Sequence, residues 1–415
     1  MRVKSYGAGA IGGVVLVVLG ALLWPAAAEP APTCTGRAAT IVGTDGEEDL
    51  TGTEGDDVVW LGAGQDRFRG GAGNDTVCGG PGKDSVYGEA GDDWLGGGNG
   101  ADYNVIGGTG DDVVHGGAGD DLNIHGDGSR EDGTDRVYGD DGDDDIGGEP
   151  GTGVDVIEGG AGTDAVSFYL SGRSVRIDVA AGTATGDAVD TLSGLEIYSG
   201  SEYADVLTGS SGADYLVGVY GDDVVNGRGG DDTLAATSGE VIGGSGRDTL
   251  RGPDEDGHGL SVDLGWGADR AVLDAMRNST VSGGPGNDVF EVPEPGFGVD
   301  AGGTYVHLRG GPDVDTLTFA GNPHRVRIDA GARTATWSKG QITFAHVNEF
   351  HGSERGDVLL GSADADLLFG RGGDDVLKGL RGPDVLRGGK GWDTAYGGRG
   401  RDTCTAEHRF SCERS

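Results

Sequence analysis

Hydrophobic positions recur every nine residues along much of this chain. In units such as GGAGNDTVC from Gly70 and GGPGKDSVY from Gly79, glycines open the unit, aspartate holds position six and an apolar residue holds position eight. One unit of this length cannot bury its apolar residue alone, so the repeat predicts a solenoid whose coils pack against their neighbours. In the first run of units, position eight is occupied by Val59, Phe68, Val77, Val86, Leu95 and Val114.

The pattern within each unit predicts a tight turn followed by a short strand. Glycines at positions one, two and four permit positive φ and a close approach of the backbone, which a tight turn requires. The last three residues, Thr76, Val77 and Cys78 in one unit, form a minimal strand with Val77 facing inward. Two units then make one coil of 18 residues. The expected fold class is therefore all-β, a parallel solenoid with coils about 4.8 Å apart.

This stacking predicts ladders of aspartates along the edges of the solenoid. Asp75 is expected directly between Asp57 and Asp93 in neighbouring coils. A column of carboxylates at this spacing cannot stay charged and unpaired, so we expect a divalent cation between successive turns. Calcium accepts six to eight oxygens, including backbone carbonyls, whereas magnesium demands a stricter octahedron. Binding and folding are expected to be one event. The opposite edge is expected to carry a second ladder of Asp66, Asp84 and Asp102.

The consensus GGxGxDxUx, in which U is a large apolar residue, resembles the repeats-in-toxin (RTX) family of hemolysin-type calcium-binding nonapeptide repeats. The resemblance covers nearly all of residues 40–405 and implies a parallel β-roll with Ca²⁺ ions in the turns between coils. The longer units around Asp135 and Asp155 break the 18-residue spacing, so no ligand is assigned there. The units of Asp214 and Asp366 have altered glycines and are expected to hold the ion loosely. The metal ligands that the resemblance implies at position six are Asp57, Asp66, Asp75, Asp84, Asp93, Asp102, Asp112, Asp121, Asp205, Asp214, Asp223, Asp232, Asp357, Asp366, Asp375, Asp384, Asp393 and Asp402.

Two related segments interrupt the repeats. The sequence VRID occurs at residues 175–178 and again at 326–329, and TAT follows each of them at 183–185 and 334–336. Apolar and polar residues alternate there, which predicts longer strands that join the stack by burial rather than by metal binding. The predicted organisation is a signal peptide at 1–28, an N-terminal cap at 29–51, a first array at 52–168, a β insert at 169–199, a second array at 200–251, a degenerate region at 252–308, a second β insert at 309–351, a third array at 352–405 and a C-terminal cap at 406–415.

Composition and charge narrow the possible partners. With 70 acidic and 30 basic residues the formal net charge is −40, which argues against nucleic acid and against an anionic membrane surface. Mutual repulsion should weaken the compact state until cations neutralise the carboxylates. The chain has 89 glycines and is only 35% hydrophobic, which argues against an ordinary globular core. The fixed phase of the apolar residues argues equally against a disordered chain.

The N-terminus predicts export. Arg2 and Lys4 precede an apolar stretch at about 11–24, and small residues precede a cleavage site after Ala28. An uncleaved membrane anchor is the alternative interpretation, although the apolar stretch is short for a full membrane span. We therefore expect a secreted, extracellular protein with no membrane span in the mature chain.

Four cysteines in an exported chain predict disulfides. Three pairings are possible, and proximity along the chain favours Cys34–Cys78 and Cys404–Cys412, one at each end of the solenoid. Zinc binding is less favoured, because the chain contains no CxxC motif and no close cluster of cysteine and histidine.

No catalytic motif accompanies the repeats. The chain has neither HExxH nor GxSxG, and its longest poorly patterned stretch, 252–308, is too short for a catalytic domain. We expect a non-enzymatic calcium-binding protein that folds on binding extracellular calcium and has a structural, adhesive or cell-surface role. The alternative is a polysaccharide-binding or polysaccharide-modifying protein built on the solenoid. Four tryptophans could stack on sugars in that case, although packing is their commoner role: Trp60, Trp94, Trp266 and Trp392.

Overall fold

The computed structural model describes residues 32–127, 133–148, 153–186, 188–252, 257–293, 305–338 and 340–412. The predicted signal peptide, residues 1–28, lies outside the described residues. Every regular element within these ranges is a β-strand, and the ranges contain no helix that could cross a membrane.

The strands form two long parallel sheets on opposite sides of one core. The first sheet contains Asp49–Thr51, Arg67–Ala72, Ser85–Ala90, Tyr103–Thr109, Leu122–Asp127, Asp145–Gly147, Ala165–Ser167, Ile197–Ser199, Tyr215–Val217, Thr233–Ala235, Thr249–Arg251, Arg270–Val272, Val289–Glu291, Thr316–Thr318, Glu349–His351, Leu367–Gly372, Val385–Lys390 and Thr403–Thr405. The second sheet contains Ile41–Val42, Val58–Trp60, Thr76–Pro81, Trp94–Asn99, Val113–Ala118, Arg136–Asp141, Val156–Ala161, Arg176–Asp178, Thr183–Thr185, Val189–Ser193, Val206–Thr208, Asp222–Gly229, Ser238–Ser245, Ser261–Trp266, Ser279–Ser282, Tyr305–Arg309, Val326–Asp329, Thr334–Trp337, Gly340–Ala345, Val358–Leu360, Val376–Arg381, Thr394–Arg399 and His408–Phe410.

The register of these sheets follows the nine-residue repeat. Val59 pairs with Val77 and Val77 with Leu95 in the second sheet, while Phe68 pairs with Val86 in the first. All five side chains are fully buried between the sheets. Each coil therefore extends the apolar column of its neighbour, and the chain folds as the parallel β-roll that the repeat predicts.

Both inserts reverse the chain direction within the second sheet. Val189–Ser193 pairs in parallel with the preceding coil, Arg176–Asp178 pairs in parallel with the following coil, and Thr183–Thr185 lies antiparallel between them. The second insert repeats this arrangement with Val326–Asp329, Thr334–Trp337 and Gly340–Ala345. The duplicated sequence thus encodes a duplicated topology.

Both sheets continue through the described part of the region that appears degenerate in sequence. Val262 pairs with Val281 in the second sheet, and Ala271 pairs with Phe290 in the first. These four side chains are buried in the same core. A small parallel pair, Gly257–His258 with Met276–Arg277, lies beside them.

Disulfides close both ends of the roll, in the pairing that proximity along the chain favours. Cys34, in a short antiparallel pair formed by Thr33–Cys34 and Arg37–Ala38, is bonded to Cys78. Cys404 is bonded to Cys412 across the last coil. The first bond ties the N-terminal segment to Thr76–Pro81, which pairs with a strand on each side, and the second lies within the last coil.

Candidate metal sites

Most turns between the two sheets hold one buried aspartate, at position six of the unit. In the turn from Gly70 to Asp75, a Cβ placed on Gly70 would lie 2.3 Å from Asp75 Oδ2 and 2.4 Å from the carbonyl oxygen of Gly88. Only glycine fits at residue 70, because a carboxylate oxygen and a backbone carbonyl oxygen crowd the point that a Cβ would occupy.

The aspartates of successive coils are linked by hydrogen bonds. The Asp57 N–H donates to Asp75 Oδ1 at 2.8 Å, and the Asp75 N–H donates to Asp93 Oδ1 at 2.7 Å. On the opposite edge, the Asp66 N–H donates to Asp84 Oδ1 at 2.8 Å. These bonds confirm the predicted stacking. We call the linked residues ladder aspartates.

All the aspartates predicted at position six are buried and belong to such ladders. At the edges of the inserts the donor is another residue: the Val175 N–H donates to Asp205 Oδ1, and the Val326 N–H donates to Asp357 Oδ1. After each insert, the column in the turns next to the insert strand therefore starts from a backbone N–H at or just before the start of that strand.

The longer units around Asp135 and Asp155 break the 18-residue spacing in sequence, but both aspartates lie in the ladder. The Asp112 N–H donates to Asp135 Oδ1 at 2.7 Å across 23 residues, and the Asp135 N–H donates to Asp155 Oδ1 at 2.8 Å. The strands on either side stay in register, with Val137 paired to Ile157.

Sequence spacing misses further ladder aspartates for the same reason. A local signal could have found most of them, because each lies two residues before a buried apolar residue, as Asp288 does before Phe290. The buried ladder aspartates outside the predicted set are Asp135, Asp144, Asp155, Asp164, Asp190, Asp248, Asp269, Asp288 and Asp315.

The second oxygen of most ladder aspartates is buried without a partner. Oδ1 accepts the N–H from the preceding coil, but Oδ2 contacts no hydrogen-bond donor among the described residues. An unsatisfied buried acceptor costs about 1–3 kcal/mol, and more when it is charged. The unpaired Oδ2 atoms belong to Asp66, Asp75, Asp84, Asp93, Asp102, Asp112, Asp121, Asp135, Asp144, Asp164, Asp223, Asp232, Asp248, Asp269, Asp288, Asp315, Asp375, Asp384, Asp393 and Asp402.

Burial makes ionisation of these groups difficult without a counter-ion. It raises the pKa of Asp84 to about 6, of Asp93 to about 7 and of Asp112 to about 8. The N–H donated by the preceding coil partly opposes the rise, and the charges of neighbouring ladder aspartates add to it. A bound cation would offset this rise in pKa, because a positive charge beside the carboxylate favours its ionised form.

A sequence model of the RTX calcium-binding nonapeptide repeat (4 copies) matches residues 42–77, 79–103, 104–129, 151–168, 199–234, 351–382 and 369–404. The chain belongs to the RTX family. No curated protein matches the chain. The matched ranges contain every aspartate that the resemblance assigns as a ligand, and they leave out most of both inserts. RTX repeats are calcium-binding repeats, so these turns carry the family's calcium-binding sequence.

The geometry of the RTX turns fits a hard cation better than zinc. In the described ranges no three Asp, Glu, His or Cys side chains converge as a side-chain metal cluster requires. Most turns contribute one buried carboxylate, and backbone carbonyl oxygens such as that of Gly88 lie beside it. A ligand set of carboxylate and carbonyl oxygens is the set that calcium prefers.

Proposed function

We propose that the protein is a secreted calcium-binding β-roll that folds on binding extracellular calcium and has a structural or adhesive role at the cell surface. The observation that carries this proposal is the set of buried, unpaired Oδ2 atoms. No described protein group neutralises them, and their regular placement between coils offers a position for Ca²⁺ in each turn that contains one.

The proposed ligands of one such site come from successive coils. Oδ2 of Asp75 would act with Asp93 and with carbonyl oxygens such as that of Gly88. Bound calcium would supply the positive charge that these oxygens lack. The chain's own residues hold the ligands in place, because the N–H of each ladder aspartate fixes the next carboxylate.

A non-enzymatic role follows from how the carboxylates are used. Aspartates that bind metal are unavailable as general acids, and they are spread evenly along the roll rather than gathered in one cleft. We infer that export as an unfolded acidic chain precedes folding in the calcium-rich exterior.

A calcium titration tests this function. For residues 29–415 in chelator, far-UV circular dichroism should show weak β signal, and added Ca²⁺ should raise it cooperatively. Magnesium at the same concentration is the control and should produce a smaller change. A trace that stays flat, or chelated protein as compact as the calcium-loaded protein, would contradict the proposal.

A second candidate function, binding of an acidic polysaccharide, is favoured by the surface of the third array. Its ladder aspartates are buried, and the remaining acids, Glu354, Asp364, Asp374 and Glu407, are exposed but few. Once calcium neutralises the ladders, this surface is positively charged although the whole chain is acidic. The exposed basic residues are Arg355, Arg371, Lys378, Arg381, Arg387, Lys390, Arg399, Arg401 and Arg409.

Aromatic rings lie among these basic groups on the second sheet. The Lys378 ammonium is 5.6 Å from the centre of the Tyr396 ring, and Tyr396 stacks on Phe410 at 4.9 Å. Arg381 is paired in register with Arg399, and neither has an ion pair with a described residue. Adjacent cations and flat rings suit a chain of acidic sugars.

Two exposed tryptophans support polysaccharide binding, the second candidate function. Packing was the expected role of the tryptophans, yet Trp392 is 71% exposed beside the basic surface and Trp266 is 70% exposed elsewhere on the roll. Neither ring is packed into the core.

Binding to immobilised chondroitin sulfate in calcium tests the second candidate. We expect the wild-type chain to bind it more strongly than neutral dextran, and R381E/R399E to weaken binding about tenfold. Arg136→Glu makes the same kind of change on the first array and should have little effect. Equal binding by all three chains, or none by the wild type, would refute this function.

A further inference from the structure

The ladder aspartates fall into two groups that differ at position two of their units. In most units position two lies in the left-handed region, with φ of +107° at Gly71 and +119° at Gly117. In five units it is serine or threonine, and none of these five has positive φ. They are Thr53, Ser201, Ser210, Ser353 and Ser362.

Without positive φ, the N–H and the hydroxyl of the residue at position two both point toward the aspartate four residues later. The Ser210 N–H donates to Asp214 Oδ2 at 2.6 Å, and the Ser210 hydroxyl donates to the same oxygen at 3.0 Å. Thr53 makes the same pair of bonds to Asp57 Oδ2, at 2.7 and 3.0 Å. Equivalent pairs join Ser201 to Asp205, Ser353 to Asp357 and Ser362 to Asp366.

We call these pairs of hydrogen bonds caps. They supply donors to the aspartate Oδ2, which has no partner in most other turns. None of the five capped aspartates has an unpaired buried Oδ2, whereas the next ladder aspartates of the same columns, such as Asp223 and Asp232, do. The bonds from Ser201 also oppose the rise in the pKa of Asp205 that burial causes. Two donors from the protein thus occupy the oxygen that a cation would otherwise contact.

The caps lie at equivalent places in the solenoid. Ser201 and Ser210 hold the two turns of the first coil after the first insert. Ser353 and Ser362 hold the two turns of the first coil after the second insert. The equivalent coil of the first array begins at Gly43, within the predicted N-terminal cap, and in it Thr44 caps Glu48 and Thr53 caps Asp57. Each array therefore starts from one coil whose two carboxylates are capped.

We propose that these serines and threonines replace calcium, so that the first coil of each array folds without metal and forms a template for the calcium-dependent coils that follow. In a solenoid each coil packs on its neighbour, so a preformed coil lowers the cost of adding the next one. This inference rests on the proposed calcium function. It also accounts for the altered glycines of the units that contain Asp214 and Asp366.

The substitution Ser210→Gly tests the inference at one turn. It removes the hydroxyl and turns residues 209–217 into GGSGADYLV, a full match to the calcium-binding consensus. We expect the mature S210G chain to bind one more Ca²⁺ than the wild type in native mass spectrometry. The control is Ser211→Gly, a neighbouring exposed serine, which should leave the ion count unchanged.

Hydrogen exchange in chelator provides a second readout. Amides around Leu207 and Leu216 should be protected in the wild type and in S211G, and should exchange about tenfold faster in S210G. Should S210G fail to fold, Thr53→Gly makes the corresponding change in the first array, where it creates GGEGDDVVW.

The outcomes separate the two proposals. A wild type that binds no calcium would refute the proposed function. A wild type that binds calcium, with S210G equal to S211G in ion count and in exchange, would refute the caps alone.

Discussion

Each ladder aspartate divides its two carboxylate oxygens between two roles. In Asp93, Oδ1 accepts the N–H of Asp75 and closes the ladder, while Oδ2 stays buried and unpaired beside Gly88 and the carbonyl oxygen of Gly107. The first role needs only an acceptor, but the second needs a negative charge and a cation. Substitution can therefore separate them.

The substitution Asp93→Asn keeps the acceptor and removes the charge. In chelator we expect it to stabilise the roll by roughly 1 kcal/mol, because no buried carboxylate has to be ionised and the new amide can donate to the Gly107 carbonyl. In calcium we expect fewer bound ions and a higher titration midpoint. The pH at which the metal-free chain expands, which should rise, measures the first effect, and a calcium titration measures the second.

Asp92→Asn is the matched control for this substitution. Asp92 is exposed, precedes Asp93 in the same turn and accepts the Asp111 N–H through Oδ1. It should change neither the ion count nor the metal-free stability appreciably. Effects of the same sign for D93N in chelator and in calcium would contradict the division of roles.

At the scale of elements, the inserts and the arrays are stabilised by different means. The insert strands pack Ile177 and Ala184 into the core and carry fewer ladder aspartates. Their antiparallel pairing depends on burial and backbone hydrogen bonds, which require no metal. The array turns depend instead on their carboxylates.

The substitution Ile177→Ala should destabilise the first insert with or without calcium. Removing a large buried side chain costs roughly 2–5 kcal/mol. Exchange of amides at Thr183–Thr185, measured in chelator and in calcium, should accelerate in both conditions. Arg176→Ala, on the exposed face of the same strand, should leave it unchanged. Acceleration only in chelator would show that the insert depends on metal after all.

At the scale of the whole molecule, the pH of the solution determines whether the metal-free roll is compact. Burial raises the pKa of Asp93 to about 7 and of Asp375 to about 8, so the folded chain binds more protons than the unfolded chain between pH 4 and 8. The stability of the metal-free roll therefore falls as pH rises through that interval.

Small-angle scattering in chelator at two pH values measures this dependence. We expect a compact particle at pH 5.5 and an expanded chain at pH 8, with calcium restoring the compact particle at pH 8. Since calcium replaces protons at the ladders, the loaded roll should show little change over the same interval. A metal-free chain that expands on acidification would contradict the argument.

Much of the architecture could be predicted from spacing, because a solenoid repeats its contacts at a constant separation along the chain. The stacking of Asp57, Asp75 and Asp93 and the burial of Val77 follow directly from the nine-residue period. Disulfide pairing at the ends followed from proximity for a similar reason.

Where the nine-residue period is interrupted, spacing along the chain no longer shows which residues stack, and only the tertiary structure does. Asp135 and Asp155 remain in the ladder because strand pairing keeps its register although the spacing along the chain is longer, which no count along the chain can show. The reversed strand order of the inserts and the bonds from Ser210 to Asp214 depend on backbone direction and on φ. A periodic pattern specifies which residues can stack, whereas a contact between two particular groups exists only once neighbouring coils have brought them together.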